Sequence, residues 1–159
     1  MSGLAIFTTV HVLISLIGIV SGLIVLSGLL GAKMMHGWTA YFLATTIATS
    51  ITGFFFPFHG FTPAIGVGIL STLILIVTLI ARYGKNLAGA WRSVYVIGAV
   101  TTLYFNSFVL VVQSFLKIPA LHVLAPTGTE PPFAIVQGVV LLFYIVTGYL
   151  AVRRFRPVV

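Results

Sequence analysis

The side chains in this sequence that can bind a ligand are few, and most of them are histidines and amides. The candidates for ligand binding are His11, His59, Asn106, Gln113 and Gln137. A neutral imidazole both donates and accepts a hydrogen bond, and so does an amide. Together these groups suit the polar head of an otherwise apolar ligand such as a quinone or a lipid. No residue is predicted to be catalytic, and the pattern favours a binding site over an active site.

A metal site is a second hypothesis. His59, His122 and Glu130 could ligate a transition metal ion, because imidazole nitrogens and carboxylate oxygens are both metal ligands. These residues do not have the three- or four-residue spacing that places two ligands on one face of a helix. Such a site would therefore have to be assembled from separate loops.

A b-type haem is a third alternative, and it requires two histidines on facing helices at the same depth. His11 is expected about 10 Å deep at 1.5 Å per residue, whereas His59 is expected near a helix end. Quinone or lipid, haem b and a metal ion therefore stay open as ligands, and the sequence firmly implies no cofactor.

The amino-acid composition indicates whether these side chains lie in a soluble protein or in a membrane protein. Of the 159 residues, 60% are apolar and 6% are charged, and Glu130 is the only acidic residue. A soluble domain carries about 25% charged residues, so a soluble fold is excluded. The lack of cysteine excludes a disulfide scaffold, the single carboxylate excludes most acid/base enzymes, and the basic residues form no stripe for nucleic acid. The composition predicts a small polytopic membrane protein.

Five apolar stretches are long enough to cross a bilayer, which takes about 20 residues. They are predicted at about residues 4–30, 39–56, 63–81, 91–116 and 132–152. The first stretch has no basic leader and no convincing cleavage site, so it is interpreted as a retained helix. The predicted fold is all-α, a single transmembrane domain over residues 1–159 built as a bundle of five spanning helices.

Two features are expected in the connection before the fifth span. Its apolar first part, Ile118–Leu124, is too short to cross and is predicted to form a partial helix at the interface. Thr127 and Glu130 have the spacing of a capping box, in which a hydroxyl and a carboxylate satisfy the first free N–H groups of a helix.

Charge predicts the orientation of five spans. If the C-terminus is cytoplasmic, seven of the eight basic residues lie inside and only Lys117 lies outside. Loops on the cytoplasmic side carry an excess of lysine and arginine, so the sequence predicts an outer N-terminus and an inner C-terminus. The seven are Lys33, Arg82, Lys85, Arg92, Arg153, Arg154 and Arg156.

Polar side chains indicate which helix is central. At 100° per residue, Tyr95, Thr102, Asn106 and Gln113 fall within an arc of about 40° on the fourth helix. An unpaired amide that faces lipid costs several kcal/mol, so this stripe is predicted to face other helices. The third helix contains the wholly aliphatic run Leu73–Val77 and is predicted to be peripheral.

The same cost argument predicts a shared polar space. His11, Gln113 and Gln137 are all expected in the outer half of the bundle, with His59 at its rim. Because each group needs a partner or water, one cavity or one ligand could satisfy all three. The alternative is a closed hydrogen-bond network without room for a ligand.

Several segments resemble small multi-pass inner-membrane proteins of proteobacteria. They are Trp38–His59, Ala81–Tyr83, Leu87–Arg92, Ala125–Thr127 and Glu130–Phe133. The resemblance spans much of the chain and implies a bacterial inner membrane. It carries no function, cofactor or active site with it.

Two functional hypotheses follow. The first is a non-catalytic binding or accessory subunit, partnered by the lipid bilayer and by another membrane protein or a second copy of the chain. Gly18 and Gly22, four residues apart, allow the close helix approach that a homo-oligomer would use. The second is a redox or ligand-carrying module. Coupled transport is less expected, because every charged residue lies at or beyond a predicted helix end, and a nucleic-acid partner is not expected.

Overall fold

The computed structural model describes residues 2–157, and this part of the chain is helical without β-strands, as predicted. The helices are α1 (Gly3–Leu30), α2 (His36–Gly53), α3 (Pro63–Leu79), α4 (Trp91–Lys117), α5 (Pro119–His122) and α6 (Pro131–Arg154). A π-helical turn at Ile80–Gly84 extends α3. Four of these helices, namely α1, α3 with its extension, α4 and α6, are long and apolar enough to cross a membrane.

The observed helix ends lie close to the predicted ones except at α2. Helices α1, α4 and α6 begin and end within two residues of the prediction, and the partial helix before the last span is confirmed as α5. Helix α2 begins at His36, three residues before its predicted start, and ends at Gly53 instead of Phe56. The earlier end has a local cause, because a residue that precedes proline, here Phe56 before Pro57, is disfavoured in a helix.

Helix α2 is more polar than the other long helices. It has 18 residues, about 27 Å at 1.5 Å per residue, and many of them are threonine, serine or glycine. Thr45, Thr46, Thr49 and Thr52 each donate their hydroxyl to a carbonyl one turn earlier, at 2.7–2.9 Å. Their polarity is therefore satisfied within the helix, and α2 packs along α1 over most of its length.

The turn before α6 differs from the predicted capping box. Helix α6 begins at Pro131, so Glu130 is its N-cap residue and Thr127 lies before the helix. The Glu130 carboxylate accepts the Thr127 hydroxyl at 2.8 Å and the N–H groups of Thr127 and Thr129 at 3.1 Å. These bonds, above all the one from the Thr127 hydroxyl, lower the pKa of Glu130 to about 2. The prediction was wrong because proline, which lacks an N–H, is favoured at the first helical position.

Helix α4 lies at the centre of the bundle. It contacts α1, α2, α3, α5 and α6, whereas α3 contacts α2 and α4. The predicted central position of the fourth helix and peripheral position of the third are both confirmed. Helix α6 is also peripheral, since Tyr144 and Ala151 are its only buried residues in the described chain.

The bundle has one basic end. Neighbouring helices are joined by short connections and run antiparallel, so α1, α3 and α6 end where α2 and α4 begin. We call this the basic end, because the seven basic residues of the predicted inner side lie there. We call the opposite end, which carries Lys117 and Glu130, the Glu130 end.

Arg92 joins two helices at the basic end. Its Nη1 donates to the carbonyl of Val152 at 2.9 Å and to that of Phe155 at 2.5 Å. Both carbonyls belong to the C-terminus of α6, where the helix leaves its carbonyls unpaired and carries a partial negative charge. The start of α4 therefore caps the end of α6.

The tightly packed core is displaced toward the basic end. On α1 the buried residues begin at Gly18, and the segment 3–17 contains none. On α2 they stop at Thr46, and the segment 47–53 contains none. We call the half of the bundle nearer the Glu130 end the loosely packed half. On α1 and α2 the inward-facing side chains of this half are half-buried.

Candidate functional site

The polar groups meet where α1, α2 and α4 come together at Gly18. A Cβ built on Gly18 would lie 3.4 Å from Thr45 Oγ1 and 3.7 Å from Asn106 Nδ2. The absence of a side chain at Gly18 therefore brings the polar groups of α2 and α4 against the backbone of α1. Asn106 faces the interior, as predicted.

His11 is held by α2 one layer closer to the Glu130 end. Its Nδ1 lies 2.7 Å from Thr52 Oγ1, and the ring packs edge-on against Phe56 with centroids 5.0 Å apart. The single hydroxyl proton of Thr52 is donated to the Ala48 carbonyl at 2.7 Å, so Oγ1 offers His11 a lone pair. Nδ1 therefore carries the proton in the neutral imidazole, and Nε2 is an unprotonated hydrogen-bond acceptor.

Gln113 is brought to the level of His11 by the helix register. Seven residues make close to two full turns of an α-helix. Two antiparallel helices that face each other at one pair of residues therefore face each other again seven positions earlier on one helix and seven positions later on the other. From Gly18 and Asn106, that step leads to His11 on α1 and Gln113 on α4.

These side chains form one structure, which we call the polar seam. It contains two layers of residues on α1, α2 and α4, of which the inner layer lies at the edge of the packed core and the outer layer lies in the loosely packed half. The inner layer holds Thr45 and Asn106, and the outer layer holds His11 and Thr52. The helix register indicates that Gln113 lies at the level of the outer layer.

The polar seam and its surroundings are not fully satisfied. Asn106 Nδ2 and Gln137 Oε1 are buried and have no hydrogen-bond partner within residues 2–157. A buried donor or acceptor without a partner costs about 1–3 kcal/mol. The site therefore offers one unused donor at Asn106 and two unused acceptors, at His11 Nε2 and Gln137 Oε1.

Gln137 is directed at the backbone of α4. Its Nε2 donates to the Phe108 carbonyl at 3.2 Å, so the side chain occupies the contact between α4 and α6. His11, Gln113 and Gln137 share no direct hydrogen bond in the described chain. The convergence of His11 and Gln113 therefore stays a prediction, whereas Gln137 has its own partner on α4.

A contact that the sequence did not reveal joins α4 and α6 nearby. Ser107 Oγ donates to the Leu103 carbonyl at 3.0 Å, so the Tyr144 hydroxyl donates to Ser107 Oγ at 2.8 Å. Gly148 also faces α4, where its Cβ would lie 3.2 Å from Val100 Cγ1. Ser107 gave no signal in the sequence, because serine in a membrane helix commonly bonds a carbonyl of its own helix.

Gly18 and Gly22 are used inside the bundle. A Cβ on Gly22 would lie 2.6 Å from Leu103 Cδ1 and 2.8 Å from Phe42 Cε2, so the pair packs against α2 and α4 of the same chain. A homo-oligomer built on this pair would have to displace both helices. The homo-oligomer itself stays a prediction.

The structure does not assemble the hypothesised metal ligands. Within residues 2–157 no three histidine, cysteine or acidic side chains lie close enough together to hold a metal ion. His122 Nδ1 instead lies 3.3 Å from the Phe115 carbonyl, and the Glu130 carboxylate is occupied by the turn before α6. His59 is exposed in the loop after α2.

The arrangement also fails to provide paired axial ligands for haem. His11 is half-buried in the polar seam, while His59 lies in an exposed loop. His36 lies at the basic end, 2.7 Å from Arg82, at the other end of the bundle from His11. The described residues therefore present one histidine to the seam, which suits a hydrogen bond better than a bis-histidine haem.

Two shallow grooves of about 340 and 350 Å³ lie on the outer surface of the bundle, away from the polar seam. One lies between α1 and α2 and the other between α3 and α4. Their linings are almost wholly apolar, so the chemistry that could select a ligand is in the seam.

Comparison with known protein families, with curated proteins and with solved structures finds no match to this chain. The function is therefore argued from the geometry of the polar seam and the distribution of charge.

Proposed function

We propose that this chain is a five-span protein of a bacterial inner membrane, with an outer N-terminus and an inner C-terminus. In this proposal α2 is the fifth span. Its length of about 27 Å approaches the roughly 30 Å of hydrocarbon in a bilayer, and four of its threonine hydroxyls are satisfied by its own carbonyls. The seven basic residues at one end support the orientation. The resemblance to proteobacterial proteins supports the choice of membrane.

Within that membrane the protein acts as a non-catalytic binding or accessory subunit, and the polar seam is its binding site. The observation that carries this function is the buried, unpaired Nδ2 of Asn106. It lies at the edge of the packed core, one layer below the free acceptor of His11. A polar network inside an apolar medium is costly when it is half satisfied, and a bound molecule would complete it.

The polar groups define the chemistry of the ligand. His11 Nε2 accepts a hydrogen bond and Asn106 Nδ2 donates one, so the ligand presents a hydroxyl and a carbonyl or ether oxygen on an apolar body. A quinol has hydroxyl groups that both donate and accept hydrogen bonds, and a lipid whose glycerol ester head keeps a free hydroxyl has a donor beside its ester carbonyls. No carboxylate lies in the seam, because Glu130 is the only acid and is bound in its own turn, so the seam lacks an acidic partner for proton transfer.

The redox or ligand-carrying module remains the second candidate function, and the same hydrogen-bond pattern favours it if the bound molecule is a quinone. The two candidate functions then differ in whether the protein changes the oxidation state of the bound molecule. A redox module reduces or oxidises the molecule during turnover of its complex, whereas an accessory subunit binds it unchanged.

The test is the identity of the molecule that purifies with the protein. We would extract the detergent-purified wild type and the His11→Ala, Asn106→Leu and Thr147→Val variants and analyse the extracts by mass spectrometry and absorption. Thr147 is the control, because its hydroxyl bonds the Phe143 carbonyl of its own helix at 2.7 Å and lies outside the seam. We expect one apolar molecule with a polar head in the wild type and control, and its loss from both seam variants.

Each other outcome counts against a part of the proposal. Retention of the molecule by both seam variants would contradict a binding site at the polar seam. A Soret band or a stoichiometric metal in the wild type would replace the proposed ligand with haem or metal. Asn106→Leu should keep its folded yield, because Nδ2 has no hydrogen bond to lose. A reporter fused after Arg156 that is active only outside the cytoplasm would contradict the orientation.

A further inference from the structure

The basic end contains a guanidinium group without a counter-charge in the described chain. Arg82 lies in the π-helical turn after α3, and its Nη2 is 2.7 Å from His36 Nδ1 at the start of α2. Its Nε is buried and has no hydrogen-bond partner within residues 2–157. The guanidinium also lies over the ring of Tyr83, at 5.0 Å from the centroid.

The partner that Arg82 does have cannot neutralise it. An arginine side chain only donates hydrogen bonds, so His36 Nδ1 must accept, and His36 is the neutral tautomer with its proton on Nε2. The only acidic side chain of the sequence, Glu130, lies at the other end of the bundle. A partly buried cation without a partner is costly, so an anion is the expected third member of this group.

Two elements therefore direct donors to one place, namely α2 with His36 and the π-helical turn with Arg82. Tyr95 on α4 is not a member of this group, because its side chain is 0% exposed inside the bundle.

The level of this group in the bundle indicates the source of the anion. It lies at the ends of α2 and α3, beside Trp38 and Tyr83, whose rings are 44% and 49% exposed. Tryptophan and tyrosine collect at the level of the lipid headgroups, and basic pockets between membrane helices bind phosphate-bearing headgroups. A soluble anion is not concentrated at the level of the lipid headgroups, whereas a phospholipid phosphate is.

We propose that Arg82 and His36 form a binding site for the phosphodiester group of an anionic phospholipid. The planar guanidinium of Arg82 can bind two phosphate oxygens at once, and His36 Nε2 supplies a further donor. The site lies at the opposite end of the bundle from the polar seam and does not depend on the function proposed for the seam.

The experiment is a thermal unfolding series in detergent with phosphatidylglycerol or phosphatidylcholine added. Arg82→Gln removes the guanidinium, and Arg156→Gln is the matched control, because it removes the same charge from the exposed segment after α6. We expect phosphatidylglycerol to raise Tm more than phosphatidylcholine does for the wild type and the control. Arg82→Gln should weaken the apparent affinity for phosphatidylglycerol about tenfold or more, the loss expected for a charge-assisted hydrogen bond.

The remaining outcomes are decisive as well. Equal losses in Arg82→Gln and Arg156→Gln would overturn the site in favour of general charge attraction, and equal effects of the two lipids on the wild type would overturn it outright. Protection by inorganic phosphate alone to the same degree would replace the lipid with a soluble anion. If Arg82→Gln does not fold, Arg82→Lys and His36→Gln take its place. An unchanged lipid preference in both would refute the proposal.

Discussion

Replacing Gly22 with alanine tests how the polar seam is held in place. Gly22 lies one turn from Gly18, where α1 meets α2 and α4. The new Cβ would lie 2.6 Å from Leu103 Cδ1 and 2.8 Å from Phe42 Cε2, about 1 Å closer than carbon atoms pack. Leu103 and Phe42 are each 1% exposed, so neither side chain has free space to move into. Overpacking of this kind costs about 1–3 kcal/mol.

Alanine also favours a helix over glycine, by up to about 1 kcal/mol, and that gain would hide part of the loss. Gly138→Ala on α6 provides the correction, because its Cβ would meet nothing within 4 Å. Both substitutions gain the same propensity, so the difference between the two variants isolates the overpacking. We expect Gly22→Ala to be less stable than Gly138→Ala by the full 1–3 kcal/mol or so.

The assay is unfolding by titration of a denaturing detergent, followed by circular dichroism, on the wild type and both variants. Size-exclusion chromatography of the same samples reports the oligomeric state. A difference below about 0.5 kcal/mol, the range of an ordinary surface change, would refute the packing that we describe. So would a change of oligomeric state at unchanged stability, because it would place Gly22 between copies of the chain instead of inside one.

Two further predictions concern the ends of the bundle. The pKa of Glu130 is about 2, below its ordinary value of 4.5, so the carboxylate stabilises the fold fully above pH 4.5 and loses its effect as the pH falls to 2. The Tm difference between wild type and Glu130→Gln should shrink over that window, and a difference that stays constant with pH would contradict it. Arg92→Gln removes two charge-assisted hydrogen bonds to the end of α6 and should lower the unfolding free energy by about 1.5–3 kcal/mol. Arg156→Gln serves as its control, and equal stability of the two variants would contradict the role of Arg92.

The sequence predicted most of the helices because a membrane helix leaves a long apolar signal. It predicted the start of α2 too late, because His36, Gly37 and Trp38 read as loop although they form the first turn. It did not predict the π-helical turn or the left-handed backbone of Asn86 and Leu87, with φ of 47° and 60°. Those conformations follow from how the chain turns between α3 and α4 at the basic end.

The sequence identified most residues of the polar seam, but it did not identify which of them form hydrogen bonds with each other. Helical phase alone placed His11 with Gly18, and Asn106 with Gln113. The bond from His11 to Thr52 depends on the register between α1 and α2, which the phase of each helix does not determine. His59, His122 and Glu130 were grouped because they share one end of the bundle, yet local bonds to Phe115 and Thr127 hold two of them elsewhere.

The uneven core has a consequence for how the molecule moves. Local opening requires the least free energy where few contacts are buried, so amide hydrogens of α1 before Gly18 should exchange faster than those after it. The first half of α1 can then separate from α2 while the packed half stays closed. A molecule that reaches Asn106 would enter through this fluctuation from the Glu130 end, and by contacting both helices it would oppose their separation and so slow the amide hydrogen exchange of α1.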